Sequence, residues 1–284
     1  MSKVNWIAEV SSNHNGDLGR SLRIIDEVAS AGFTSVKFQL FEIEKLFAPE
    51  ALSARPSLLD RKKWELRMDA IPTLSEAARQ LGVRFGLTPF YTAAVKELVP
   101  LVDFFKIASY ELLWTDLLEE VAASAKPVVL STGMATMAEV SGAVSTLRGA
   151  GSKDITILHC VSAYPAEGSE CNLSAIKSIR DEIGVEAGWS DHTNDPSVVR
   201  RAVLRWGSTT VELHVDLDSE GFEYGPGHCW LISEAKGIID EIQLGETWDG
   251  DGVKAPAPSE EVEKDWRADP SDGLRPLRHI RMTI

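Results

Sequence analysis

Two histidines and two lysines carry most of the chemistry this sequence can offer. His192 and His214 close the β-prone runs Ala187–His192 and Thr209–His214, and a third such run, Ile155–His159, precedes them. If these runs are strands of a parallel sheet, the two imidazoles stand one strand apart at strand C-termini, where ligand sites form. There they can converge on one metal ion, and such a pair suits Mn, Fe, Co or Zn. Either histidine alone would read as a hydrogen-bonded core residue. An ion with few protein ligands leaves room for water and substrate, and can polarise a carbonyl and activate water.

Lys37 and Lys106 sit inside the apolar runs Ser35–Leu40 and Phe104–Ala108, where an ammonium is costly unless it meets an anion. They have three possible roles. Each could be a counter-ion to Glu9 or Glu212. Together they could clamp a phosphate or carboxylate, with Thr88, Ser109 and Ser131 as hydroxyl donors and helix N-termini adding N–H groups. One of them could form a Schiff base. Two lysines among several hydroxyls suit the anion clamp better. Glu9 and Glu111 are the candidate general acid/base groups, unless they only neutralise the lysines. His14 reads as a loop residue that orients neighbours, His159 as a supporting group, His228 as a substrate contact and His279 as exposed.

The elements that must hold these groups alternate. The expected strands are Trp6–Val10, Ser35–Leu40, Arg84–Thr88, Phe104–Ala108, Pro127–Ser131, Thr156–Val161, Glu186–Trp189 and Thr209–Val215. The expected helices are Leu18–Ala31, Leu74–Leu81, Ala93–Leu101, Asp116–Ser124, Met137–Ala150, Leu173–Ile183, Pro196–Trp206 and Leu231–Leu244. Apolar spacing at Leu22, Ile25, Val28 and Ala29 marks the first helix, and Gly32 stops it. Eight βα units in about 245 residues match the (β/α)8 TIM barrel better than an open doubly wound sheet. The long connection Phe41–Pro72 is either functional or carries short helices of its own. The expected division is a catalytic barrel over 1–248 and an extended, irregular C-terminal tail over 249–284.

Composition narrows the function classes. The net charge of −14 argues against nucleic acid or an anionic membrane as partner, since both need a basic face. No apolar stretch approaches the roughly 20 residues of a membrane span, and no leader segment is expected. Cys160, Cys171 and Cys229 are an odd set without CxxC spacing, which fits a reduced cytoplasm rather than a disulfide framework.

Seven motifs occur in an order that resembles the sialic acid synthase family. They are Ile-Ala-Glu-Val-Ser-Ser-Asn-His-Asn-Gly (7–16), Val-Lys-Phe-Gln (36–39), Thr-Pro-Phe (88–90), Phe-Lys-Ile-Ala-Ser-Tyr-Glu (105–111), Leu-Ser-Thr-Gly-Met (130–134), Leu-His-Cys-Val-Ser-Ala-Tyr-Pro (158–165) and Gly-Trp-Ser-Asp-His-Thr (188–193). The resemblance implies a (β/α)8 barrel that condenses phosphoenolpyruvate with an N-acetylmannosamine-type sugar, releasing phosphate and a nine-carbon 2-keto acid. It implies a divalent metal, commonly manganese, on His192 and His214. Lys37, Thr88, Lys106, Ser109, Ser131 and Ser190 match phosphoenolpyruvate-binding positions, and Ser162 stands where some members have Asn. Glu9, Gln39 and Tyr164 match positions facing the sugar, and Glu111 matches a catalytic carboxylate. A homodimer is expected on the same ground. The rivals are a related phosphoenolpyruvate-condensing barrel acting on another aldose, and a barrel that only binds a sugar or a partner protein.

Two departures fall on the sugar side. Many members read Gly-Pro-Asp-His after the eighth strand, whereas this chain has Gly225-Pro226-Gly227-His228. Many also carry a C-terminal antifreeze-like domain that supplies an arginine to the partner's site, and this sequence is expected to lack it. The tail, with Arg267, Arg275 or Arg278, would then take that place. Deleting residues 255–284 should raise the KM for the sugar sharply in steady-state assays, and unchanged kinetics would refute the substitution.

Overall fold

Strands with a two-residue period can bury both faces only if one face meets helices and the other closes on itself. That is what this chain does. The computed structural model describes residues 4–283. The strands are β1 (Asn5–Glu9), β2 (Ser35–Leu40), β3 (Arg84–Pro89), β4 (Phe104–Ile107), β5 (Val128–Ser131), β6 (Ile155–His159), β7 (Glu186–Asp191) and β8 (Thr210–Asp216). They pair in parallel in chain order, and β8 pairs with β1, with Glu9 opposite His214 and Ile7 opposite Glu212. The sheet is therefore a closed eight-stranded barrel, the expected TIM architecture. A two-residue strand, β9 (Trp230–Leu231), adds to β8 outside the barrel pairing, which the sequence pattern did not signal.

Alternation sorts the side chains into two cores. One parity, including Trp6, Phe38, Phe85, Phe105, Trp189 and Leu213, joins the helices in the main apolar cluster. The other parity supplies a separate cluster of Ile7, Phe104, Val129 and Leu158. Two residues further along those same strands, the inward series becomes polar: Glu9, Lys106, Ser131 and Cys160. The barrel is thus plugged with hydrocarbon and lined with polar groups toward the C-terminal ends of its strands. Gly86 and Gly188 make the plug possible. A Cβ at Gly86 would run into the Phe104 ring, and one at Gly188 would meet the Thr210 carbonyl and Leu158.

Helix ends follow local chemistry. Asp17 caps Leu18–Ser30 through Arg20 N, Thr136 and Glu139 form a capping box on Met137–Gly149, and Gly184 ends Ala175–Ile183 in the left-handed region at φ 68°. The helix expected from Leu74 starts at Ile71 instead, because Pro72 lies in its first turn, where a missing N–H costs nothing. The connection after β2 does carry short helices, Ile43–Leu46 and Pro49–Ala54 among them.

Contacts divide the chain into a unit ending at Gln243 and a second unit from Leu244. The second holds a 3-10 stretch, Pro258–Trp266, and a helical turn, Arg278–Arg281. A backbone hydrogen bond from Leu277 N to Asp265 O (2.8 Å) ties the two together, and one from Asp269 N to Leu274 O (2.9 Å) closes the turn between them.

Because the added methyl of Gly188→Ala meets backbone rather than a movable side-chain tip, that variant should lose about 1–3 kcal/mol. Thermal unfolding would record this as a lowered Tm.

Candidate active site

Above the apolar plug lies a layer of buried charge. Lys37 on β2 contacts Glu9 on β1, lies 3.7 Å from Glu212 on β8 and donates to Thr88 Oγ1 at 3.2 Å. Lys106 on β4 donates to the Ile107 carbonyl at 2.8 Å. Ser190 on β7 donates to Glu212 Oε1 at 2.9 Å. Burial alone would raise Glu212, but Lys106 and Lys37 overcome it and hold the carboxyl at about 2. Burial pushes Lys37 down to about 7, with Lys106 acting the same way and Glu212 opposing. Glu9 also accepts Ser11 N at 2.6 Å, so it is engaged as a counter-ion. Glu111, on the 3-10 turn Ser109–Glu111 after β4, is raised to about 7 by burial against the pull of Lys106.

One residue beyond β7 and four residues into β8, the imidazoles converge. The His192 and His214 rings lie 5.2 Å apart, and His228 stands 5.1 Å from His214. Tyr164 packs on all three, 4.3 Å from His192, 6.1 Å from His214 and 5.1 Å from His228. His192 Nδ1 faces the Val161 carbonyl at 2.6 Å; the proton belongs on that nitrogen, which leaves Nε2 as a lone-pair donor. Burial foremost, and then His214, pushes His192 down to about 3 and His228 to about 4. His214 Nδ1 and His228 Nδ1 are buried without hydrogen-bond partners. Neutral imidazoles with a free nitrogen are the form that binds metal, so these residues fit a divalent ion.

A small cradle adjoins the lysine side. Gly133 N donates to Ser109 Oγ at 3.0 Å, and Ser109 Oγ lies 3.2 Å from Cys160 Sγ. A Cβ at Gly133 would collide with Ser162 Oγ. The Oγ atoms of Ser131 and Ser162, Glu111 Oε2 and Glu212 Oε2 are buried and lack hydrogen-bond partners. Unspent polar atoms in a packed interior are costly, and here they cluster where a polar ligand would meet them. Gln39 sits at the rim of the same mouth, two residues beyond Lys37 and half-buried.

The structure brings together Glu9, Lys37, Thr88, Lys106, Ser190 and Glu212 as the charged layer and its hydroxyl donors. It gathers Ser109 and Ser162 in the cradle, with Ser131 at the end of the strand two residues before Gly133, and Tyr164, His192 and His214 at the imidazole cluster. His159 does not join them: its parity turns it outward, where Nε2 meets the Cys171 carbonyl at 2.8 Å. His14 turns back on its own loop, accepting Gly16 N at 2.9 Å. Sequence reasoning missed Glu223, whose carboxylate lies 3.7 Å from His214 Nδ1. Burial opposes its charge, yet contacts with His214 and Ser11 hold it below the usual carboxylate range.

The loop that carries Glu223 and His228 is fixed from the far end of the barrel sequence. Asn13 donates to the Val215 carbonyl (2.8 Å) and accepts Glu223 N (2.8 Å). Arg20 donates to Asn13 O at 2.6 Å and to Asp216 at 2.7 Å. On the other flank, the buried Asp191 accepts both Trp189 Nε1 and Trp230 Nε1 at 3.0 Å, which ties β7 to β9 beside His192.

A closed parallel barrel with a buried cation–carboxylate layer and an imidazole cluster at its C-terminal mouth defines a TIM-barrel enzyme site. The NeuB family model matches residues 24–254. The N,N'-diacetyllegionaminic acid synthase of Campylobacter jejuni is 33% identical over 276 residues, covering 92% of this chain and 82% of that protein. The enzyme of the same name from Legionella pneumophila is 33% identical over 274 residues, covering 89% and 75%. Among solved structures, the N-acetylneuraminic acid (sialic acid) synthetase of Leptospira borgpetersenii, in complex with citrate, superposes with a TM-score of 0.80 at 30% identity, covering 95% of this chain and 93% of that one. The chain belongs to the NeuB family and is an enzyme, a carbon–carbon bond-forming transferase of the sialic acid synthase type.

Sulfate keeps its charge between pH 6 and 9, so the pH profile of its binding reports the protein's own groups, with Lys37 losing positive and Glu111 gaining negative charge near 7. Its binding, followed by intrinsic tryptophan fluorescence, should weaken as pH rises through about 7, where Lys37 gives up its proton. Lys37→Arg, cationic throughout that range, should make the profile shallower, leaving only the part due to Glu111.

Proposed function

We propose that this enzyme condenses phosphoenolpyruvate with an N-acetylmannosamine-like aldose, giving a nonulosonic 2-keto acid and phosphate. The observation that carries the reading is the shared mouth: two buried ammonium groups with hydroxyl neighbours on one side, and a cluster of neutral imidazoles on the other. The names of its relatives support the sugar class, since they are legionaminic and sialic acid synthases.

Lys37 and Lys106 offset the charge of phosphoenolpyruvate, with Thr88, Ser109, Ser131 and Ser190 as hydroxyl partners and Ser162 beside the Gly133 cradle. Carbon 3 of phosphoenolpyruvate attacks the open-chain aldehyde, water adds at carbon 2, and collapse expels phosphate. Preorganised positive charge stabilises the anionic oxygens as they develop. Glu111, poised at about 7 and close enough to Lys106 to feel its charge, is the better proton carrier, because Glu9 is already spent on Lys37. Gln39 and Tyr164 face the sugar, together with Glu9. His192 and His214 would hold the divalent ion, expected to be manganese, which when bound supplies electrophilic polarisation of the aldehyde. A catalytic barrel over 1–248 with a tail over 249–284, acting as a homodimer in the cytoplasm, belongs to the same proposal. Among the described residues no helix is long and apolar enough to cross a membrane, and the three cysteines are free and buried.

Phosphate release from phosphoenolpyruvate across a panel of aldoses, with and without Mn2+, tests this. Release is expected with N-acylated mannose-type sugars and an added ion, and Lys106→Met should lower kcat/KM by about 100-fold or more. Release only with another aldose would favour the related condensing barrel. No release with any sugar would favour a barrel that only binds.

A further inference from the structure

We propose that a cleft outside the barrel, between the start of the helix Leu18–Ser30 and the connection that follows β2, binds a neutral polyhydroxylated ligand the size of one sugar ring. The cleft measures about 540 Å3, within the range of small-molecule sites. His14 lines it and is 1% exposed. Burial foremost lowers this imidazole to about 4, so near neutral pH it carries a single ring proton. Nδ1 accepts Gly16 N at 2.9 Å, which places that proton on Nε2. Nε2 is buried and has no hydrogen-bond partner. A buried N–H is rarely left idle, and the cleft is the space where an acceptor for it can stand.

The charges around the cleft select the kind of acceptor. Its two cations are already taken: Lys62 pairs with Glu44, and Arg67 forks onto Asp69. Neither is free to hold a phosphate or carboxylate, and an anion would also face Asp17, Glu65 and Asp69. A cation would face the His14 N–H. Asp17 and Glu65 each accept one backbone N–H, from Arg20 at 2.8 Å and from Ile43 at 2.7 Å. A carboxylate has about four acceptor sites, so both can take further protons. One N–H donor beside carboxylate acceptors suits hydroxyl groups, which accept and donate at once. The barrel wall separates this cleft from the mouth. The His14 ring stands 6.3 Å from Phe38, which packs with the helices outside the barrel, whereas its neighbour Lys37 faces inward. Occupancy here is therefore independent of the condensation chemistry.

Methyl glycosides of mannose, glucose and galactose are the probes, because a locked ring has no free aldehyde to react at the mouth. Titrated into the full-length protein, at least one should give ligand-detected saturation-transfer NMR signals that saturate with concentration. His14→Asn keeps a side-chain acceptor for Gly16 N and removes the Nε2 donor. Leu18→Trp fills the cleft from a rim position that is 41% exposed. Each variant should weaken binding by about 5-fold or more while keeping its far-ultraviolet circular dichroism. No saturable signal from any of the three glycosides on the wild type would overturn the proposal, a result that needs no variant to fold. Binding of equal strength in both variants would also overturn it, because the sugar would then sit elsewhere, as at the mouth. Sulfate binding that is lost in His14→Asn would overturn the ligand class, since the cleft would then be an anion site. Phosphate release measured on the same samples bears on the condensation alone.

Discussion

Two ammonium groups and two carboxylates held out of water set the terms for the rest of this molecule. An unpaired buried ion costs several kcal/mol, and breaking a buried pair by removing one partner costs about 3–5 kcal/mol. Lys37 and Lys106 can therefore exist inside the barrel only because Glu9 and Glu212 face them, and those carboxylates only because the lysines do. Water is kept from below by Ile7, Phe104, Val129 and Leu158. The glycines that admit Phe104 and close the β7–β8 contact are part of the same arrangement. The fold is, in this sense, a dry floor under a charged layer.

That layer is unequally satisfied. Lys37 has a carboxylate and a hydroxyl beside it, and Glu212 has Ser190. The atoms with no hydrogen-bond partner, including Glu212 Oε2, Ser131 Oγ, Ser162 Oγ and Glu111 Oε2, sit in or beside this layer. Fixed charges and idle hydroxyl donors and carboxylate acceptors of this kind need little rearrangement when a polar ligand arrives, which is where electrostatic preorganisation gains its strength. The mouth is two-sided, with cations toward β2 and β4 and neutral imidazoles toward β7 and β8. Two reactants of different chemistry can thus be held side by side without competing for the same groups.

Much of this was legible in the residues because a strand's period is two. Once Ser35–Leu40 and Phe104–Ile107 are strands, Lys37 and Lys106 must face inward, and β2 was placed to the residue. The eightfold βα rhythm then determined that the strand ends share one rim. What stayed hidden depends on distance along the chain. Glu223 belongs to an irregular loop, and a backbone bond to Asn13, 210 residues away in sequence, helps to put its carboxylate beside His214. Nothing local in Phe-Glu-Tyr-Gly announces that. His159 shares its residue type and strand-end position with His192, but its parity sends it outward to the Cys171 carbonyl. Glu9 had two readings, and its contact with Lys37 favours the counter-ion one.

Asn13 and Arg20 also give the mouth a history. They come from the first βα connection and the helix it leads into, and the groups they grip, Val215, Asp216 and Glu223, end or follow the eighth strand. Ring closure and assembly of the imidazole cluster are consequently one event. A ribosome-bound chain that has emerged only through its seventh strand has neither His214 nor the scaffold for His228, and so presents no trap for stray cations while it is being made. The same logic makes the seam between the first and eighth strands a place where a nick or a transplanted terminus would scatter the imidazole cluster while leaving most of the hydrophobic interior in place.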